Sequence, residues 1–144
     1  MTIRNLVSFV ALFSVFSASA AFAVDPPPTA AELRDWGTAE ECVRAGKHAG
    51  IDYTRSVDRA IAGDPASLAA LFRFTDSGWC DGAAGEGNAQ ILFGLLQHLG
   101  DRKFAHVLRA QKKAIRKKVF NEISVFPGWT PTKFPLTNAA APSH

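Results

Sequence analysis

Period-two alternation of β-branched residues is absent from every window of this sequence, so strands are not indicated. Catalytic signatures are absent too. There is no G-x-S-x-G for a serine hydrolase and no Gly-Lys-Ser/Thr phosphate loop. The single Asp-Ser-Gly, Asp76 to Gly78, has no second copy to share a proton, as an aspartic protease requires. Histidine and cysteine are sparse: four and two, with His98 and His106 eight residues apart across a Gly-Asp break. No set of three or four ligands at metal spacing emerges, so no metal or other cofactor is expected and no residue is assigned a catalytic role.

Long apolar runs are equally scarce. The one present, Leu6 to Phe16, is shorter than the ~20 residues of a membrane span. It follows Arg4 and leads into small residues ending Ala21-Phe22-Ala23, the pattern of a secretory signal peptide cleaved after Ala23. No cysteine follows the run, against a lipid anchor, and no Asn-x-Ser/Thr sequon occurs, which suits a bacterial envelope protein. The expectation is a periplasmic or secreted chain with no transmembrane span after cleavage. Residues 1–23 are then the signal peptide, 24–28 a Pro-rich leader, 29–126 an all-helical domain and 127–144 an extended tail. The 121 residues left after cleavage suffice for one domain with its own core. Exported chains meet oxidising conditions, so Cys42 and Cys80 are expected to form a disulfide. It would close a 39-residue loop and contribute about 3–4 kcal/mol. Glu40, Glu41 and Asp81 stand beside the two thiols and disfavour a reactive thiolate.

What is present is helix punctuation. Thr29 with Glu32 and Thr38 with Glu41 have capping-box spacing. Gly37, Gly50, Gly63 and Gly100 fall where helical patterns stop, and Asp52, Asp64 and Asp101 follow as N-caps, with Pro65 in a first helical position. The pattern predicts a compact all-α bundle of five or six short helices at about 30–36, 39–49, 53–62, 65–75, 86–99 and 102–123. Leu68, Leu71, Phe72 and Phe74 form one core stripe. Ile91, Leu92, Phe93, Leu95, Leu96 and Leu99 make the fifth helix apolar on nearly every side, so neighbours must surround it. Gly94 in its middle points to a close helix crossing. "GDPASLAAL" and "GDRKFAHVL", 37 residues apart, resemble the spacing of helical-hairpin repeats. After Phe126 the pattern ends, and Trp129 and Phe134 are expected to dock the tail on the body.

Between two apolar segments lies "TDSGWCDGAAGEGN", Thr75 to Asn88. Its acids Asp76, Asp81 and Glu86 do not fit a helix-loop-helix calcium site: counted from Asp76, the third, fifth and sixth residues are Gly78, Cys80 and Asp81. Its glycines stand in the wrong order for a dinucleotide fingerprint and follow no strand. The expected role is a connector that holds Cys80 near Cys42, with Trp79 packed alongside. These three acids are nevertheless the place to seek hydrolytic chemistry.

Charge is the most lopsided feature. Val24 to Asp101 carries six basic and twelve acidic residues, whereas Arg102 to His144 carries nine basic residues and only Glu122 as an acid. The bases concentrate in the last predicted helix, where Phe104, Val107, Leu108, Ile115, Val119 and Ile123 keep one face apolar. Three readings fit it: a solvated outer face of a docked helix, attraction to anionic lipid or lipopolysaccharide, and a patch for an acidic protein partner. Nucleic acid is not expected, because export separates the chain from it and aromatic residues do not interleave the bases. The leading expectation is therefore a small exported binding module without catalytic activity. Its candidate face is Arg109, Lys112, Lys113, Arg116 and Lys117. The rival is a small envelope hydrolase using Asp76, Asp81 and Glu86.

Overall fold

The computed structural model describes residues 26–142. The expected signal peptide, 1–23, lies outside the described residues. Among the described residues eight helices follow in order: α1 Ala30–Trp36, α2 Glu40–His48, α3 Tyr53–Ile61, α4 Pro65–Thr75, α5 Gly82–Leu99, α6 Asp101–Arg109, α7 Lys113–Ile123 and α8 Pro135–Ala140. No strand occurs among the described residues, so the chain is all-α.

Several starts and stops obey the local rules. Thr29 and Glu32 close a full capping box on α1, and the Asp52 and Asp64 carboxylates accept the Arg55 and Ser67 N–H groups. Gly50, Gly63 and Gly100 adopt positive φ, the region where the missing Cβ matters. Gly37 does not. It is right-handed, and its smallness serves packing instead, because a Cβ there would come within 2.8 Å of Val57 Cγ1. Thr38 forms no capping box either: Ala39 precedes α2, and the Thr38 hydroxyl donates back to the Asp35 carbonyl.

The apolar helix α5 sits in the middle, touching α1, α2, α3, α4, α6 and α7. Ile91, Leu92, Leu95 and Leu96 are fully enclosed there. Each buried side chain of this size contributes about 1.5–3 kcal/mol. Gly94 marks the predicted close crossing, since an added Cβ would lie 2.5 Å from Leu33 Cδ2 of α1. One buried polar chain ties three helices together. The Tyr53 hydroxyl donates to Asn88 Oδ1, the Asn88 amide donates to Thr75 Oγ1, and Thr75 donates to the Leu71 carbonyl.

Two expectations change at the C-terminal side. The single basic helix expected at 102–123 is two helices, broken at Ala110–Lys112. Its apolar stripe survives the break: Phe104, Val107, Leu108, Ile115, Val119 and Ile123 are all buried. The break lets α6 and α7 take separate paths while both lie against α4 and α5. The tail is not wholly extended. Phe134 is buried against Phe93, Trp129 meets Phe120 edge-on, and α8 lies on α6. Asp101, expected to cap its own helix, instead accepts the Leu136 and Thr137 N–H groups at 2.7 and 2.8 Å, so it caps the start of α8. The two Gly-Asp junctions thus share a left-handed glycine but use their aspartates differently.

Candidate functional site

Burying Ile115, Val119 and Ile123 turns Lys112, Lys113 and Lys117 outward, and all three are exposed. Among the described residues, none of these three lies within ion-pair distance of an acid. The two arginines of the expected face have other duties. Arg109 donates to the Leu136 carbonyl at 3.2 Å, gripping α8, and Arg116 donates to the Arg109 carbonyl. Of the basic residues on α6 and α7, only Lys118 pairs with an acid among the described residues, reaching Asp76 at 2.6 Å. That contact holds the Lys118 ammonium above its usual range.

Lys113 and Lys117 share a groove of about 640 Å³ between α7 and the end of α8. Phe120 gives it an apolar wall, Asn121 and Asn138 line it with amides, and no acid takes part. The structure therefore gathers two of the five expected cations around a concave surface and assigns two others to internal carbonyls.

The three loop acids do not share one site. Asp76 faces Lys118, and Asp81 lines a recess of about 370 Å³ between α2 and the start of α5. Glu86 is exposed on α5 and does not line that recess. Glu41, Arg44 and His48 face the recess from α2. Trp79, expected to pack beside the cysteines, is instead 49% exposed and stacks on His48, with ring centroids 4.6 Å apart and planes 17° off parallel.

The expected Cys42–Cys80 disulfide is not formed; both residues are thiols. They do converge, since each sulfur donates to the Ala84 carbonyl, at 3.5 and 4.0 Å. Burial pushes Cys80 up to about 12, with Glu122 and Cys42 adding to the shift, and burial likewise raises Cys42. In the folded chain both groups therefore favour the thiol over the thiolate.

Glu122 was not among the expected site residues. One of its carboxylate oxygens, Oε2, is enclosed without a hydrogen-bond partner, and burial raises the group to about 7, opposed by Lys118. A sequence signal existed. Glu122 is the lone acid of the basic segment and stands three residues after Val119, at the edge of the buried stripe. The His48–Trp79 pair had no such signal, because 31 residues separate its members.

Among the described residues no group of three or more His, Cys, Asp or Glu side chains could hold a metal ion, and no helix is long and apolar enough to cross a membrane. Fold and surface define an all-α domain with a cationic groove and an aromatic recess. Set against known families, curated proteins and solved structures, the chain matches none.

Proposed function

We propose that the protein is an exported binding module that receives an acidic protein segment in the groove between α7 and α8. The observation that carries this is the placement of Lys113 and Lys117, one turn apart, in a recess lined with amides and free of acids. Ammonium groups attract carboxylates, and the Asn121 and Asn138 amides both donate and accept, so they suit an extended peptide backbone. An acidic protein is favoured over an anionic lipid surface for a physical reason. A surface-binding helix must place its apolar face in the bilayer, and α7 has committed Ile115, Val119 and Ile123 to the core. The hydrolase alternative has less support, because Asp76, Asp81 and Glu86 occupy separate environments.

A fluorescent oligoglutamate peptide tests the proposal directly. The double variant Lys113→Gln/Lys117→Gln should bind it about tenfold more weakly, the worth of two partly screened contacts. Circular dichroism should be unchanged, since both side chains are exposed. Affinity should fall as salt rises. Equal binding by the variant, or binding to phosphatidylglycerol vesicles that exceeds peptide binding, would reject the acidic-segment reading.

A further inference from the structure

The recess beside Trp79 lies apart from the cationic groove and shares no lining residue with it. Among the described residues, Trp79 is the only aromatic of the exposed large apolar side chains. Its indole is nonetheless held in place. One face rests on His48, and its backbone N–H donates to Ser77 Oγ at 3.2 Å. A fixed, half-exposed indole forgoes burial that a core position would supply, at roughly 25 cal/mol per Å² of apolar surface. Packing alone gives no reason for that arrangement.

The walls are equally specific. Ala45 of α2 and Ala83 and Ala84 of α5 are small and apolar, which keeps the recess open at about 370 Å³, toward the small end of ligand pockets. Its charged groups are Glu41, Asp81 and Arg44, the last also reaching Glu40 at 3.4 Å, while the His48 ring is taken up by its stack on Trp79. Acceptors and a donor therefore stand together around an aromatic surface. An organic anion would meet two carboxylates. An organic cation would meet the guanidinium and the positive end of the α5 dipole. A neutral molecule with one apolar face and hydroxyls around its edge satisfies all of them. Its C–H groups would lie on the electron-rich indole face, while its hydroxyls donate to Glu41 and Asp81 and accept from Arg44.

We propose that this recess binds one pyranose ring of a neutral glycan, with Trp79 as the stacking surface and Glu41, Arg44 and Asp81 as hydroxyl partners. The assignment is one of binding and involves no bond cleavage. It stands independently of the acidic-segment proposal, because the two sites use different side chains.

Nuclear magnetic resonance on the chain offers the direct test, since its three tryptophans give three indole N–H signals. Cellotriose, maltotriose and triacetylchitotriose serve as probes, with tetramethylammonium chloride as the cationic comparison. At least one trisaccharide should shift the Trp79 signal saturably, with a Kd of about 1 mM. Added salt should leave that Kd unchanged, as suits a neutral ligand. Trp79→Ala and the recess-filling Ala83→Leu should each weaken binding by about tenfold or more, whereas Trp79→Phe should retain part of it. Both positions are exposed, so the fold should survive and is checked by circular dichroism. Lys113→Gln/Lys117→Gln should bind sugar normally. The proposal is overturned if none of the three trisaccharides moves Trp79, if Trp79→Ala binds as well as the parent chain, or if tetramethylammonium saturates the site in their place.

Discussion

Glu122 combines an enclosed, unpartnered oxygen with a carboxyl raised from 4.5 to about 7. Lys118 on its own helix, Cys80 on the loop and Tyr53 on α3 lie close enough to couple with it, and Asp76 of α4 holds Lys118. The sign follows from proton linkage. As pH rises from 4.5 toward about 7 the unfolded chain releases this proton before the folded one does, so the group's contribution to stability declines across that window and levels off above it. Glu122→Gln keeps the shape and cannot ionise. Urea unfolding should show it about 1–2 kcal/mol more stable than the parent near pH 8, a figure reduced for the carboxyl's partial exposure. Near pH 4.5 the difference should vanish; a constant difference at both pH values would mean the carboxyl is not the cause. The thiols allow a companion measurement. With both raised by burial, iodoacetamide near pH 8 should label the folded chain about a hundredfold more slowly than the urea-unfolded chain. Peptide mass spectrometry would follow each cysteine separately, and comparable rates would refute the burial argument.

Two side chains of α6, Asp101 and Arg109, make the polar contacts that hold the start of α8. Asp101 accepts two N–H groups from the first turn of α8, and Arg109 holds the Leu136 carbonyl. Asp101→Ala should cost about 1–2 kcal/mol, as losing a good N-cap does, and should raise amide exchange in residues 135–140 before anything else loosens. Uniform exchange across all helices would contradict so local a role. At the α1–α5 crossing, Gly94→Ala gains about 1 kcal/mol of helix propensity but drives a methyl against the enclosed Leu33. The crossing itself could be foreseen, because a glycine inside an apolar helix has few other uses. Most helix positions were equally readable, since Thr29, Asp52, Asp64 and Pro65 state their roles locally. The break between α6 and α7 was not. Ala110, Gln111 and Lys112 include no Gly or Pro, and the apolar spacing runs through without a gap. Only the separate packing directions of the two halves require it. The capping of α8 by Asp101 was hidden for a related reason: the contact spans 35 residues, while Gly100 beside it suggested a purely local cap. The division of the expected cationic face was hidden in the same way, because Arg109 and Arg116 are drawn into contacts that only the fold creates.

At the scale of the whole molecule, the separation of an acidic body from a basic end invites a simple account in which the two halves hold each other. The contacts do not support it. Of the basic residues on α6 and α7, only Lys118 pairs with an acid among the described residues. The attachment of α6, α7 and α8 rests on Phe104, Leu108, Val119, Ile123 and Phe134, all buried apolar groups. Apolar burial is insensitive to moderate salt, whereas interactions between exposed charges are screened within about 8 Å at physiological ionic strength. Raising sodium chloride from about 0.05 to 0.5 M should therefore move the thermal midpoint by no more than about 2 °C, since surface pairs are worth roughly 0–1 kcal/mol. The same change should sharply weaken capture of the oligoglutamate peptide by Lys113 and Lys117. If calorimetry instead showed the midpoint falling by about 8 °C or more, the basic end would be part of the scaffold's own cohesion. Stability nearly flat in salt together with steep binding would leave Lys112, Lys113 and Lys117 without a structural task and would support the proposed role of the groove between α7 and α8.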